Sequence, residues 1–212
     1  MNGRRWVLQS GLTLAAIAAI CTALVAATHR ITADRIAANE KARLEQSLQP
    51  ALTGLFYDND VTESRFVIAP PHGLPGTGPA IVYRVYAAGE PVAALFVVTA
   101  MDGYAGPIRI LLGIDMNGIV TGLRILEHRE TPGLGDRIDA TRSDWVYQFD
   151  GRSLGNPELA EWAIGVDGGA FDQLTGASIT PRAVVKAVRQ TLLYFESHRD
   201  EIFTMQAEQA EP

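Results

Sequence analysis

An α+β domain carried behind one apolar N-terminal segment is the architecture the sequence predicts, and three patterns predict it. Residues 6–28 are apolar or small and contain no charge, two pairs of Val-, Ile- and Tyr-rich runs each bracket a short turn, and an amphipathic stripe runs toward the C-terminus.

Composition sets the outer bounds. A chain of 212 residues, 47% hydrophobic and 20% charged, suits one folded core plus a membrane element. The net charge of -6 argues against a nucleic-acid surface, which needs clustered Lys and Arg. Cys21 is the only cysteine, so no intrachain disulfide and no cysteine cluster for zinc or iron-sulfur can form. His29, His72, His128 and His198 are scattered, and no metal site is expected. Redox chemistry in such a chain needs another carrier.

After Arg4 and Arg5, the 6–28 stretch is long enough, at about 1.5 Å per residue, to cross a hydrocarbon core. A cleaved signal peptide competes with this reading, since Val25, Ala26 and Ala27 are small, but the apolar run exceeds a usual signal core. A lipoprotein signal at Cys21 is disfavoured by the bulky Ile20 before it. Arg30, Arg35, Lys41 and Arg43 outnumber the basic residues ahead of the span, so charge counting alone leaves its orientation open. A short basic tail before one apolar segment resembles a signal anchor, which makes the chain a single-pass inner-membrane protein with its bulk in the periplasm.

Ile31, Ile36, Leu44 and Leu48 recur among charged residues at roughly helical spacing, so 29–54 is expected as a juxtamembrane stalk, closed by Pro50 and Gly54. The domain proper is expected over 55–205. Pro70, Pro71, Gly73, Pro75, Gly76, Gly78 and Pro79 mark a loop, after which 81–87 and 91–99 flank Ala88-Gly89-Glu90 as one hairpin. A second hairpin, 108–114 and 119–126, turns at Met116-Asn117-Gly118. Antiparallel strands follow from both. Flanking helical pieces are expected near 143–149 and 157–164. A stronger helix begins at Pro181, capped by Thr180, with Val184, Val188, Leu192 and Phe195 as its core-facing stripe. Residues 206–212 read as a flexible polar tail.

Ahead of that last helix stands Asp172-Gln173-Leu174-Thr175-Gly176-Ala177-Ser178-Ile179-Thr180. Free backbone N–H groups and the positive dipole end make a helix N-terminus attractive to phosphate, and Gly176 and Ala177 let the backbone approach closely. An ordinary Ser/Thr cap accounts for the same residues, and composition alone favours it. A second segment, His128-Arg129-Glu130-Thr131-Pro132-Gly133-Leu134-Gly135, contains a Pro-Gly turn.

Asp172, Thr175, Gly176, Ala177 and Ser178 fit the pattern Asp-x-x-Ser/Thr-Gly-Ala-Ser/Thr, and the chain thereby resembles the FMN-binding domain family. The 128–135 segment resembles the corresponding loop of the G-subunit family of Rnf electron-transport complexes, and that of the C subunit of sodium-pumping quinone reductases. With the Gly103-Tyr104-Ala105-Gly106-Pro107-Ile108 stretch, the N-terminal span and the length, the likeness covers nearly the whole chain, and the Rnf family is the nearer match.

The resemblance implies a covalent FMN, joined through its phosphate to the Ser178 hydroxyl by a flavin transferase that cleaves FAD. The family more often has Thr at that position, and Thr175 and Thr180 remain alternative hydroxyls. Asp172 is implied in the transfer reaction or in positioning the acceptor loop; a turn-stabilising hydrogen bond is its bland alternative. Glu130, Thr131, Gly133, Leu134 and Gly135 are implied beside the isoalloxazine, with backbone N–H groups and the Thr131 hydroxyl on its polar edge. Trp145 and Tyr104 are stacking candidates, although such rings more often simply pack. His128 is more naturally a structural hydrogen-bonder than a proton donor.

The same resemblance also implies partners, namely other membrane and peripheral subunits of an Rnf complex and the surrounding lipid. It implies an electron relay between ferredoxin and NAD that is coupled to ion translocation. No catalytic residue of the chain's own is implied. The alternatives are the quinone reductase subunit and a non-redox, membrane-tethered binding or assembly module. A reductase acting on a soluble substrate ranks last, because the chain has no room for a second catalytic domain.

Overall fold

The computed structural model describes residues 44–204 together with Gly11, Leu14, Ala15, 17–19, Cys21, Thr22 and Ala42. The chain divides into two units, Met1–Leu44 and Glu45–Pro212. The expected span at 6–28 and stalk at 29–54 fall largely, and the tail at 206–212 entirely, outside the described residues. Among those residues, no helix is long and apolar enough to cross a membrane. The described residues of the first unit are helical, with the Thr22 hydroxyl donating to the Ala18 carbonyl at 2.9 Å.

The second unit is built on a five-stranded antiparallel sheet whose spatial order β1-β2-β3-β4-β5 is also its sequence order. The strands are β1 Arg65–Ile68, β2 Ala80–Ala87, β3 Glu90–Ala100, β4 Ile108–Asp115 and β5 Val120–Glu127. The two expected hairpins are present. Ala88 and Gly89 both take positive φ, +52° and +83°, as a tight turn matched to strand twist requires. At the second turn, the Asp115 carboxylate accepts from the N–H groups of Asn117 at 2.9 Å and Ile119 at 2.8 Å.

β1 is the element the sequence does not announce. It has four residues, only Phe66 is buried, and its pairing of Phe66 with Val82 is set by β2 rather than by a pattern of its own. Residues 49–52 also join the body of the domain. Gln49–Leu52 is a 3-10 turn with Ala51 and Leu52 buried. Its backbone lies so close to the sheet that a Cβ on Gly113 would sit 2.6 Å from the Ala51 carbonyl oxygen, and one on Gly122 2.5 Å from that of Pro50. The compact unit accordingly begins at Glu45, ahead of the expected start at 55.

The C-terminal helix α1, Ile179–Thr204, covers one face of the sheet. Val184, Val188, Leu192 and Phe195 are all buried, as their spacing predicts. They pack on the alternate residues Ala94, Phe96 and Val98 of β3 and Ile110, Leu112 and Ile114 of β4, and Phe195 meets Phe96 edge-on at 6.1 Å. Burial of each large side chain contributes about 1.5–3 kcal/mol. The helix departs from helical geometry at His198.

Between β5 and α1 the chain has no α-helix. The expected helix near 143–149 is the 3-10 turn Asp144–Phe149, with Trp145 N–H donating to the Ser143 hydroxyl at 3.2 Å. That near 157–164 shrinks to Leu159–Glu161. Successive turns there close on local hydrogen bonds, such as Ala163 N–H to the Glu161 carbonyl at 2.8 Å and Gly165 N–H to that of Phe171 at 2.8 Å, and Phe149, Trp162 and Phe171 pack together beneath them, with Phe149 stacked on Phe171 at 4.7 Å. α1 itself starts earlier than expected, so Thr180 lies inside it and not at its cap.

Candidate functional site

A cavity of about 270 Å³ opens where three connections meet: the β3–β4 loop, the segment after β5, and the turn that enters α1.

The segment after β5 is the pinned wall. The Thr131 carbonyl accepts from Leu134 and Gly135 N–H at 3.1 Å each and from Asp136 N–H at 3.3 Å. Gly133, at φ +78°, donates its N–H to the Asp136 carboxylate at 2.8 Å, which also lies 3.7 Å from Arg142. Glu130 N–H donates to His128 Nδ1 at 3.2 Å. The expectation that backbone N–H groups of this loop face a ligand is therefore not met at Glu130, Gly133, Leu134 or Gly135, because the loop commits those donors to itself. The Thr131 N–H and hydroxyl have no partner among the described residues and stand on the cavity wall.

The Glu130 side chain points inward. It is 4% exposed, its Oε1 accepts from Ala105 N–H at 3.0 Å, and its Oε2 accepts from the Thr180 hydroxyl. Thr180 is fully buried, so the side chain expected to cap α1 instead ties the helix start to the pinned loop.

The turn into α1 is the presenting wall. Gly176 holds φ +82°, a conformation L side chains rarely take, and Ala177 N–H closes the turn on the Leu174 carbonyl at 3.0 Å. Ser178 is exposed and lines the cavity. No described residue accepts from the N–H groups of Ser178, Ile179 or Thr180, so three donors stand at the positive end of the helix. Tyr104, 67% exposed, forms the opposite rim, and Leu134 and Ile179 supply apolar surface.

Of the predicted site residues, Glu130, Thr131, Leu134, Gly135, Gly176, Ala177, Ser178 and Thr180 meet at this cavity. Asp172, Thr175 and Gly133 do not line it. Asp172 is exposed, and its backbone rather than its carboxylate is anchored: its N–H donates to Gln148 Oε1 and its carbonyl accepts from Trp145 Nε1, both at 2.7 Å. Trp145 is 8% exposed and packs edge-on against Phe149, which makes it a core residue anchoring the backbone at Asp172 and not a stacking surface. His128 is structural, with Nε2 4.0 Å from Asp139. Ile179 was not singled out by sequence reasoning; its signal is an apolar residue placed between two hydroxyls at a helix start. Arg182 in the first turn of α1 makes a two-point ion pair with Asp167, at 2.6 and 2.9 Å, and its hydrogen bonds hold the Asp167 carboxyl below the usual carboxylate range.

Residues 103–193, which contain every wall of the cavity together with β4 and β5, match the family model of the FMN-binding domain, and this is the class of domain the chain carries. Residues 1–50 match the model of the RnfG N-terminal region. The G subunit of the ion-translocating oxidoreductase complex of Shewanella baltica is 41% identical over 94% of this chain and 94% of its own length. The G subunit of the same name from Pseudomonas aeruginosa is 41% identical over 94% of this chain and 93% of its own. The chain belongs to the G-subunit family of ion-translocating oxidoreductase complexes. Among solved structures, the crystal structure of Shewanella oneidensis NqrC is 19% identical, with a TM-score of 0.48 over 70% of this chain and 76% of that one.

Proposed function

We propose that the protein is the flavoprotein subunit of an ion-translocating electron-transport complex, and that it carries FMN as a phosphoester on Ser178. One observation carries the attachment site. Of the three hydroxyls in the acceptor segment, Ser178 alone is both exposed and on the cavity wall; Thr180 is buried and bonded to Glu130, and Thr175 lies outside the cavity.

The residues present fit the group. Phosphate on Ser178 would stand before the unpartnered N–H groups at the start of α1. Tyr104, Leu134 and Ile179 offer a planar ring apolar surface, and the Thr131 N–H and hydroxyl offer its polar edge hydrogen bonds. Attachment uses FAD as the co-reactant of a flavin transferase. The Ser178 Oγ–phosphorus bond forms as the phosphorus–oxygen bond to the adenylate half breaks; AMP leaves with the bridging oxygen and the hydroxyl proton passes to solvent. Asp172, exposed on a backbone anchored by Trp145 and Gln148, would offer the transferase a grip. Bound in this way, a flavin takes up and releases electrons, and the protein contributes position and electrostatics.

By kinship the relay runs between ferredoxin and NAD and is coupled to ion movement, with other subunits of the complex as partners. Residues 6–28 would anchor the chain in the lipid of the inner membrane with the 55–205 domain on the periplasmic side, where a phosphoester keeps a cofactor that could not be replaced once lost. Intact mass and in-gel flavin fluorescence of protein coexpressed with its transferase test the reading. An FMN adduct in the wild type that is absent from Ser178→Ala is expected; a colourless wild type without added mass would leave the tethered binding module. Co-purifying subunits distinguish the Rnf assembly from the quinone reductase.

A further inference from the structure

Resting on the attachment reading, we propose that Glu130 is a positioning residue for flavin attachment: its buried carboxylate grips the Thr180 hydroxyl and the Ala105 N–H, and so fixes the acceptor turn against the Tyr104 rim.

The three segments it joins are distant in sequence, Glu130 lying 25 residues from Ala105 and 50 from Thr180. Thr180 is two residues past Ser178 in the chain, so holding it sets the phase of the first turn of α1 and the direction in which the Ser178 hydroxyl faces. Ala105 adjoins Tyr104, so the other oxygen sets the rim. Space around the carboxylate is closed by glycines. A Cβ on Gly103 would lie 2.9 Å from Oε1, and one on Gly135 2.9 Å from both Oε2 and the Thr180 hydroxyl oxygen.

Stability alone does not explain the choice of side chain. Burying a carboxylate against neutral donors is unfavourable, and an apolar contact would close the same junction without that penalty. No ion pair among the described residues involves Glu130. What the carboxylate adds is direction, with one oxygen committed to each loop. Each oxygen holds one donor, Ala105 N–H on Oε1 and the Thr180 hydroxyl on Oε2, which makes the side chain a brace between the two segments.

The test uses the full chain, purified without FMN, then incubated with transferase and FAD while attachment is followed by intact mass and folding by the thermal transition. Thr180→Val keeps the shape and removes the hydroxyl; attachment is expected to slow at least about tenfold, whereas Thr180→Ser stays within about threefold of wild type. Glu130→Ala is expected to behave like Thr180→Val. Glu130→Gln should retain most of the rate, because an amide can accept from Ala105 and donate to the Thr180 oxygen. A folded Thr180→Val protein that attaches FMN at the wild-type rate overturns the proposal. So does a Glu130→Gln variant as slow as Glu130→Ala, since attachment would then depend on the charge itself. Absence of FMN from the wild type removes the attachment reading and this inference with it, whereas equal rates in flavinylated wild type and variants remove this inference alone.

Discussion

The two walls of the cavity are built on opposite plans. The 130–136 segment exposes residues 131–134 but commits nearly every backbone donor to its own or adjoining residues, buries Glu130, Gly135 and Asp136, and leads into the fully buried Ile138. The 172–178 turn leaves Asp172, Thr175, Gly176 and Ser178 exposed and makes few bonds of its own. One wall is a fixed surface and the other displays a nucleophile. The comparison teaches that, on the proposed attachment at Ser178, an acceptor must stay accessible to a second enzyme, and that the rigidity lost there is supplied from the facing wall.

Substitutions on the pinned wall should therefore cost stability, and those on the presenting wall should not. Ile138→Ala is expected to cost the most, about 2–5 kcal/mol in urea unfolding, by leaving a cavity where the loop joins the core. Gly135→Ala should follow at about 1–3 kcal/mol, because the new methyl group meets Glu130 and Thr180 in a space with no slack. A variant within error of wild type would mean that this wall yields and that the contrast is overdrawn. A smaller effect is expected from pH. The folded-state pKa of Asp167 is lowered, first by its hydrogen bonds from Arg182, so its contribution is present above the unfolded value of about 3.9 and lost as pH falls below it. Comparing urea midpoints of wild type and Asp167→Asn at neutral and strongly acid pH should show a difference that shrinks on acidification; a difference that grows would reverse the sign. Least of all, Thr175→Ala should change stability by no more than about 0.5 kcal/mol and leave FMN attachment intact by mass.

Much of this plan was legible in the sequence, though unevenly. β2 to β5 announced themselves through Val-, Ile- and Tyr-rich runs bracketing turn residues, and α1 through its stripe; β3 and β4 are buried along most of their length, so composition and turns rather than alternation mark them. β1 was invisible, being too short and exposed to have a period, and 49–52 was read as stalk because approach to Gly113 and Gly122 depends on distant partners. At the site, the motif contributes Ser178 and Gly176, and the 128–135 segment Thr131, to one cavity. It could not show Thr180 facing inward, since a Thr before Pro181 reads as a cap, nor that Glu130 would be its partner from 50 residues away. Trp145 illustrates the same limit. Its type suits stacking, and only the fold reveals that its N–H is committed to the Asp172 carbonyl.

The sheet order that matches sequence order has a consequence in time. Strands that neighbour in space because they neighbour along the chain close short loops and can add one after another as the polypeptide emerges from its N-terminus. The acceptor turn and α1 come last, and Thr180 reaches Glu130 only when that helix docks. If flavin is attached at Ser178 as proposed, the prosthetic group becomes a mark of completion: a chain stalled partway would have no formed acceptor to modify, and every chain bearing flavin would already have finished folding.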